Sequence, residues 1–148
     1  MHFFVQKLKK MESLYFKDWL IAKNLLEHIE KSVRLILERT DSVSTCNDFL
    51  DSPSGMEKLD AVCMQLIAIG ESVNKLDKVT SKQLLISEPD IPWSSIKGVR
   101  NFIAHDYFDV DVEEIFHIIK TDLHPLLEAI IRLQKNINHN RDRINSCS

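Results

Sequence analysis

Residues 15–36 read YFKDWLIAKNLLEHIEKSVRLI, with apolar side chains at Tyr15, Trp19, Ala22, Leu26, Ile29, Val33 and Ile36. The steps of four and three place these side chains on one face of a helix, and Lys17, Lys23, Glu27, Glu30 and Lys31 fall between them. The pattern predicts a long amphipathic helix ending near Thr40, where Asp41 to Thr45 offer a polar loop. The segment NDFLDSP adds at most one short turn before Pro53.

The same periodicity recurs along the chain. A second helix is expected from Ser54, because Ser54-Gly55-Met56-Glu57 fits a capping box in which the serine oxygen and the glutamate satisfy orphaned backbone donors. Its main stripe is Leu59, Val62, Leu66, Ile69, Val73 and Leu76, and a further line of Cys63, Ile67, Gly70, Glu71 and Asn74 widens its contact surface. Gly70 inside a helix costs roughly 1 kcal/mol against alanine; either a backbone or ligand approaches closely there, or the glycine is merely tolerated. Glu71, with Lys75 four residues on, fits a favourable surface pair.

Pro89 and Pro92 in SEPDIPW interrupt the helical pattern. Ser94 or Ser95 can cap a third helix bearing Ile96, Val99, Phe102 and Ile103. A fourth begins at Asp109 or Asp111 and carries Val112, Ile115, Phe116, Ile119, Leu123, Leu126, Ile130, Leu133 and Ile137, with a kink expected at Pro125. The fold class is therefore all-α, an antiparallel bundle of four to five helices. The helical domain is placed at residues 13–137, with an N-terminal extension at 1–12 and a polar, frayed tail at 138–148. Met11 offers a second translation start.

Composition agrees with long helices. The 148 residues include 3 Gly and 4 Pro, few breakers for a chain of many short strands. A net charge of -3 provides no global basic field, so a nucleic acid would need a local cationic patch. Cys46, Cys63 and Cys147 show no metal-ligand spacing, and reduced thiols in a cytoplasm are the simplest expectation. The opening MHFFVQKLKK has too short an apolar stretch for a signal sequence, and no segment is long enough to span a membrane.

Chemistry concentrates in residues 100–107, RNFIAHDY. Arg100 offers a cationic fork for a phosphate, His105 moves protons near neutral pH, and Tyr107 offers a phenol. On an ideal helix Arg100 and His105 lie about 140° apart. Either the helix unwinds before His105, or a second copy of the chain completes the site across a two-fold axis. The broad surface of the second helix also favours a dimer. Cleavage of RNA without a metal requires removal of the 2′-hydroxyl proton, protonation of the departing 5′-oxygen and stabilisation of phosphoryl charge, all within the range of histidine and arginine. The chain lacks H-E-x-x-H, G-x-S-x-G, P-loop and G-x-G-x-x-G patterns.

The stretch IPWSSIKGVRNFIAHDY, preceded by IAIGES and followed by FDVDVEEIFHII, resembles the HepT-like branch of the HEPN-domain ribonucleases, toxins of type VII toxin–antitoxin pairs. The resemblance covers most of the chain, from about Tyr15 to Ile130, and rests on the Arg-x4-His-x-Tyr motif after the Ile-Pro-Trp turn. It implies a helical bundle that dimerises, with the motifs of both chains in one cleft, and metal-independent endoribonuclease activity without a cofactor. It implies that Arg100 and His105 are the catalytic pair and that Asn101 positions substrate or the arginine. Glu71 matches a common acidic position, taken here as substrate-positioning. It also implies that Tyr107 is adenylylated by a cognate nucleotidyltransferase antitoxin that silences RNA cleavage. The competing expectation is a non-catalytic HEPN module that binds a nucleotide or a partner protein through the same cleft.

Overall fold

The computed structural model describes residues 2–105 and 110–147, and these form helices joined by short loops. Three long helices make the body: α1 (His2–Arg39), α3 (Pro53–Val79) and α7 (Leu123–Ser146). Short elements complete it: α2 (Asn47–Leu50), a 3-10 turn (Leu85–Ser87), α4 (Trp93–Lys97), α5 (Val99–His105), α6 (Val112–His117) and a turn of π-helix (Ile118–Asp122). α1 packs against both α3 and α7. Trp19 of α1 lies by Val79 at the end of α3 and by Ile137 late in α7, so α1 runs antiparallel to both.

The core is the one the periodicity predicts. Ala22, Leu26, Ile29, Val33 and Ile36 of α1 are buried against Leu59, Val62, Leu66, Ile69, Val73 and Leu76 of α3. Leu123, Leu126, Ile130, Leu133 and Ile137 close the third side. Each such side chain contributes about 1.5–3 kcal/mol by leaving water, enough in sum to hold helices whose isolated stability would be marginal. Phe49, fully buried on the short α2, joins this core, and Phe102 departs from it with 39% of its surface exposed.

The start of α3 corrects the sequence expectation. The cap is Ser52, not Ser54: its Oγ accepts a hydrogen bond from the Gly55 amide at 3.0 Å, and Pro53 opens the helix. Proline suits the first helical position because its φ is preset and it brings no amide to satisfy. Gly55 is required two residues later, since a Cβ there would lie 2.2 Å from the Asp48 carbonyl oxygen of α2.

Of the later helix boundaries, one agrees with expectation and others differ. Neither Ser94 nor Ser95 caps the third helix, which begins at Trp93 and breaks at Gly98 into α4 and α5. Asp111 does cap α6, its carboxylate accepting from the Glu114 amide at 3.1 Å. Between α6 and α7 the chain widens into the π turn just before Pro125. Proline removes the amide that would bond back four residues and crowds that carbonyl, and a wider turn relieves both.

The outer helices also run further than expected. α1 is continuous from His2, and α7 continues through the polar tail to Ser146. α7 is held there by α1: Trp19 Nε1 donates to the Ile137 carbonyl at 3.2 Å, and the Arg141 guanidinium lies 4.6 Å from the Phe16 ring centroid. Among the described residues no helix is long and apolar enough to cross a membrane.

Candidate functional site

α3 presents a second line of residues to the segment that carries the octet. Gly70, Glu71, Asn74 and Asp77 recur at helical spacing on the side of α3 facing α4 and α5. A Cβ on Gly70 would sit 2.7 Å from the Ile96 carbonyl oxygen and 2.9 Å from Val99 Cγ1, so this glycine admits the backbone of α4. Of the two explanations open for Gly70, close approach is the one observed.

The remaining residues of that line fasten the segment. Asn74 Nδ2 donates to the Lys97 carbonyl at 3.4 Å, satisfying an acceptor at the end of α4. Asp77, a buried carboxylate, takes the Lys97 ammonium as its ion-pair partner. On the other side of the turn, Trp93 Nε1 donates to the carbonyls of Leu85 at 3.1 Å and Glu88 at 2.9 Å. The Glu88 carboxylate binds Arg132 of α7, which raises the arginine's pKa above its ordinary value. The wide contact surface of α3 is thus used largely inside the chain, and on that count it no longer speaks for a dimer.

Arg100 extends from this anchored segment. Its Nη1 donates to Glu71 Oε1 at 2.8 Å, and both side chains remain largely in solvent, 64% and 49% exposed. Glu71 therefore pairs with Arg100 instead of the expected Lys75. An exposed pair of this kind contributes only about 0–1 kcal/mol, so an anion could displace the carboxylate from the guanidinium, or share the guanidinium with it, at little cost. Asn101, next on α5, is exposed.

α5 remains helical through His105, so the helix does not unwind before the histidine. The side chain of His105, and Tyr107 as a whole, lie outside the described residues. On a regular helix, positions 100 and 105 diverge by about 140° around the axis.

A groove of about 690 Å³ lies beside α5, with Ile96, Val99 and Phe102 on one wall. Asp90, Asp111, Glu114 and Asp122 also line it, with His117 beside them. Four carboxylates repel a polyanion, so this groove is a poor place for a phosphodiester, and the Arg100 side of α5 is the better one. Among the described residues no cluster of three His, Cys, Asp or Glu could hold a metal ion.

The fastening contacts were not legible as such in the sequence. Asp77 and Lys97 are separated by 20 positions, and only the helical offset of Asp77 from Gly70 and Asn74 hinted that it shares their face.

Comparison with known proteins fits this architecture. The family model described as ribonuclease HepT-like matches residues 21–133. Over 113 residues the chain is 30% identical to a protein of Thermococcus cleftensis named as a ribonuclease HepT, covering 76% of this chain and 96% of that one. It is 31% identical over 112 residues to a protein of Caldanaerobacter subterraneus named as an RNase, covering 74% and 92%. It is also 28% identical over 121 residues to a Methanocaldococcus jannaschii protein named as both gamma-glutamylcyclotransferase and RNase; the match covers 82% of this chain and 51% of that protein, so the chain spans about half its length. No solved structure matches the chain. With the family pattern covering the bundle and the Arg100–His105 segment alike, the chain belongs to the HepT-like ribonuclease family.

Proposed function

We propose that this chain is a metal-independent endoribonuclease that works as a homodimer, the toxin of a pair with a nucleotidyltransferase antitoxin. The observation that carries the reading is Arg100, a solvent-exposed guanidinium steadied by Glu71 on the short helix that ends at His105. Family membership supports the ribonuclease assignment, and the divergence of positions 100 and 105 supports a cleft shared by two copies.

The chemistry follows from the residues. One histidine accepts the 2′-hydroxyl proton as the 2′-oxygen attacks phosphorus. The bond to the 5′-oxygen breaks, and a second histidine, from the other copy, gives that oxygen a proton. Arg100 stabilises the negative charge on the non-bridging oxygens, where a fixed cation is most valuable. Asn101 positions the substrate, and Glu71 orients Arg100 without touching the reacting atoms. Adenylylation of Tyr107 would place a bulky phosphodiester two residues beyond His105, where its charge competes with RNA for Arg100.

RNA incubated with the purified chain in EDTA is expected to give internal cleavage products, with His105→Ala and Arg100→Ala each slowing the reaction roughly a hundredfold. Cleavage by His105→Ala at the unmodified rate, or loss of cleavage in EDTA, overturns the mechanism. Co-expression with the cognate nucleotidyltransferase is expected to add AMP, visible by intact mass, and to suppress cleavage; Tyr107→Phe prevents both. Persistence of modification in Tyr107→Phe places the regulatory site elsewhere.

A further inference from the structure

Apart from the Glu71·Arg100 pair, the outward face of α3 carries exposed side chains in an ordered charge pattern. Glu57, Asp60, Met64, Ala68, Glu71, Lys75 and Lys78 are all exposed. At 100° per residue they fall within an arc of roughly 80° and extend over roughly 32 Å of helix. Met64 has 68% of its surface in solvent, a large apolar side chain in the middle of the stripe. Among the described residues, Glu57, Asp60, Lys75 and Lys78 form no ion pair.

The order along the stripe is acidic, acidic, apolar, small, then the Glu71·Arg100 pair, then basic, basic. It is also symmetric in spacing about the midpoint between Ile67 and Ala68. Reversing a second copy of the helix about that midpoint sets Glu57 opposite Lys78, Asp60 opposite Lys75, and Met64 opposite Glu71. Glu57, Asp60, Lys75 and Lys78 then each meet an opposite charge, while Glu71 keeps Arg100 as its partner; the reversal is what a two-fold axis across the helix performs, because an isologous interface pairs each position with its symmetry mate in both directions. Parallel alignment would set like charges against like, at a cost that excludes it.

We propose that the exposed face of α3 is the surface on which a second copy of this chain docks, antiparallel, with the two-fold axis passing between Ile67 and Ala68. This rests on the homodimer proposed above and specifies its contact and register. Ala68 beside the axis lets the two helices come to the short end of ordinary packing, roughly 8 Å. Met64 is covered by the second copy near its Glu71. Each Glu71·Arg100 pair lies three to four residues from the axis, so the two pairs flank it about 10 Å apart along the helix direction. The ribonuclease site is thereby built from both copies, and the charge pattern selects a self-complementary dimer over other associations.

A charge-reversal pair of full-length variants tests this. Lys75→Glu/Lys78→Glu makes the stripe acidic throughout; Glu57→Lys/Asp60→Lys makes it basic throughout. In sedimentation at micromolar concentration the unmodified chain is expected to be a dimer. Each double variant alone should self-associate more weakly by roughly tenfold or more, and an equimolar mixture should recover the dimer, since every cross pair is again opposite in sign. The milder variants Lys78→Glu and Glu57→Lys repeat the test with one charge each, and circular dichroism checks that each chain is folded. Double variants that stay dimeric alone, or a mixture that stays monomeric, overturn the interface. If Lys75→Glu/Lys78→Glu remains dimeric but binds RNA less tightly, the interface is overturned and the lysines belong to the RNA path. A mixture that dimerises yet leaves RNA uncut upholds the interface and overturns the ribonuclease reading.

Discussion

Arg100 and Glu71, carried by α5 and α3, meet at 2.8 Å while both stay mostly in solvent. An ion pair so exposed adds little to stability, and its consequence is positional. The arginine is held on a defined heading over α3 without being neutralised by burial.

Glu71→Gln should therefore change function more than stability. The melting temperature is expected to move by no more than the equivalent of about 1 kcal/mol. RNA cleavage should fall roughly threefold to tenfold in kcat/KM, the order expected when about 1 kcal/mol of orientation is lost. Faster cleavage by Glu71→Gln would show that the carboxylate only competes with RNA for the guanidinium.

Gly70→Ala sets helix propensity against packing. Propensity alone favours alanine by about 1 kcal/mol, but the new Cβ would meet the Ile96 carbonyl at 2.7 Å, and that backbone leads directly into α5. Overpacking of this kind costs about 1–3 kcal/mol. The expected result is a net loss of stability in chemical denaturation together with reduced RNA cleavage.

Gly55→Ala should be more damaging to the fold and less specific to the site. Its Cβ would lie 2.2 Å from the Asp48 carbonyl oxygen, and α2 must move away from α3 to admit it. A loss of about 2 kcal/mol or more is expected, read as a lower denaturation midpoint. Stability equal to that of the unmodified chain would mean that α2 is free to shift.

Lys97→Met leaves the buried Asp77 carboxylate without its cation. A cost of about 1–3 kcal/mol is expected for the unmatched group. Adding Asp77→Asn to Lys97→Met should recover part of it, because no uncompensated charge then remains. A double-mutant cycle on denaturation midpoints measures the coupling.

Cys63 and Cys147 should differ in reactivity. Burial, with a smaller contribution from Asp60, raises the Cys63 thiol to about 11, whereas Cys147 is exposed. The thiolate is the reactive form, so at pH 8 alkylation should reach Cys147 first and Cys63 slowly. Because folding favours the protonated thiol, its stabilising contribution is fully present below about pH 9 and declines as pH rises toward about 11. Rapid labelling of Cys63 at pH 8 in the folded chain would contradict this.

The helices themselves, their buried stripes and the short turn before Pro53 were legible in the sequence, because local periodicity reports which face of a helix leaves water. Leu26, Ile29, Val33 and Ile36 could be assigned to the core without knowing what they touch, and so could Leu66, Ile69 and Val73. The Arg100–Tyr107 octet was equally visible, since side-chain chemistry does not depend on the fold. Choices between near-equal local options were not. The capping-box pattern pointed to Ser54, whereas the helix is capped by Ser52, and the close packing of α2 against Gly55 accompanies the earlier start at Pro53. The polar end of α7 has little reason to be helical until Arg141 finds the Phe16 and Trp19 rings of α1. Glu71 could pair with Lys75 on its own helix or with Arg100 29 positions away, and the approach of α4 over Gly70 brought the arginine within reach. Each of these outcomes depends on contacts between distant parts of the chain whose energies rival the local preferences, and such contacts exist only once the bundle has formed.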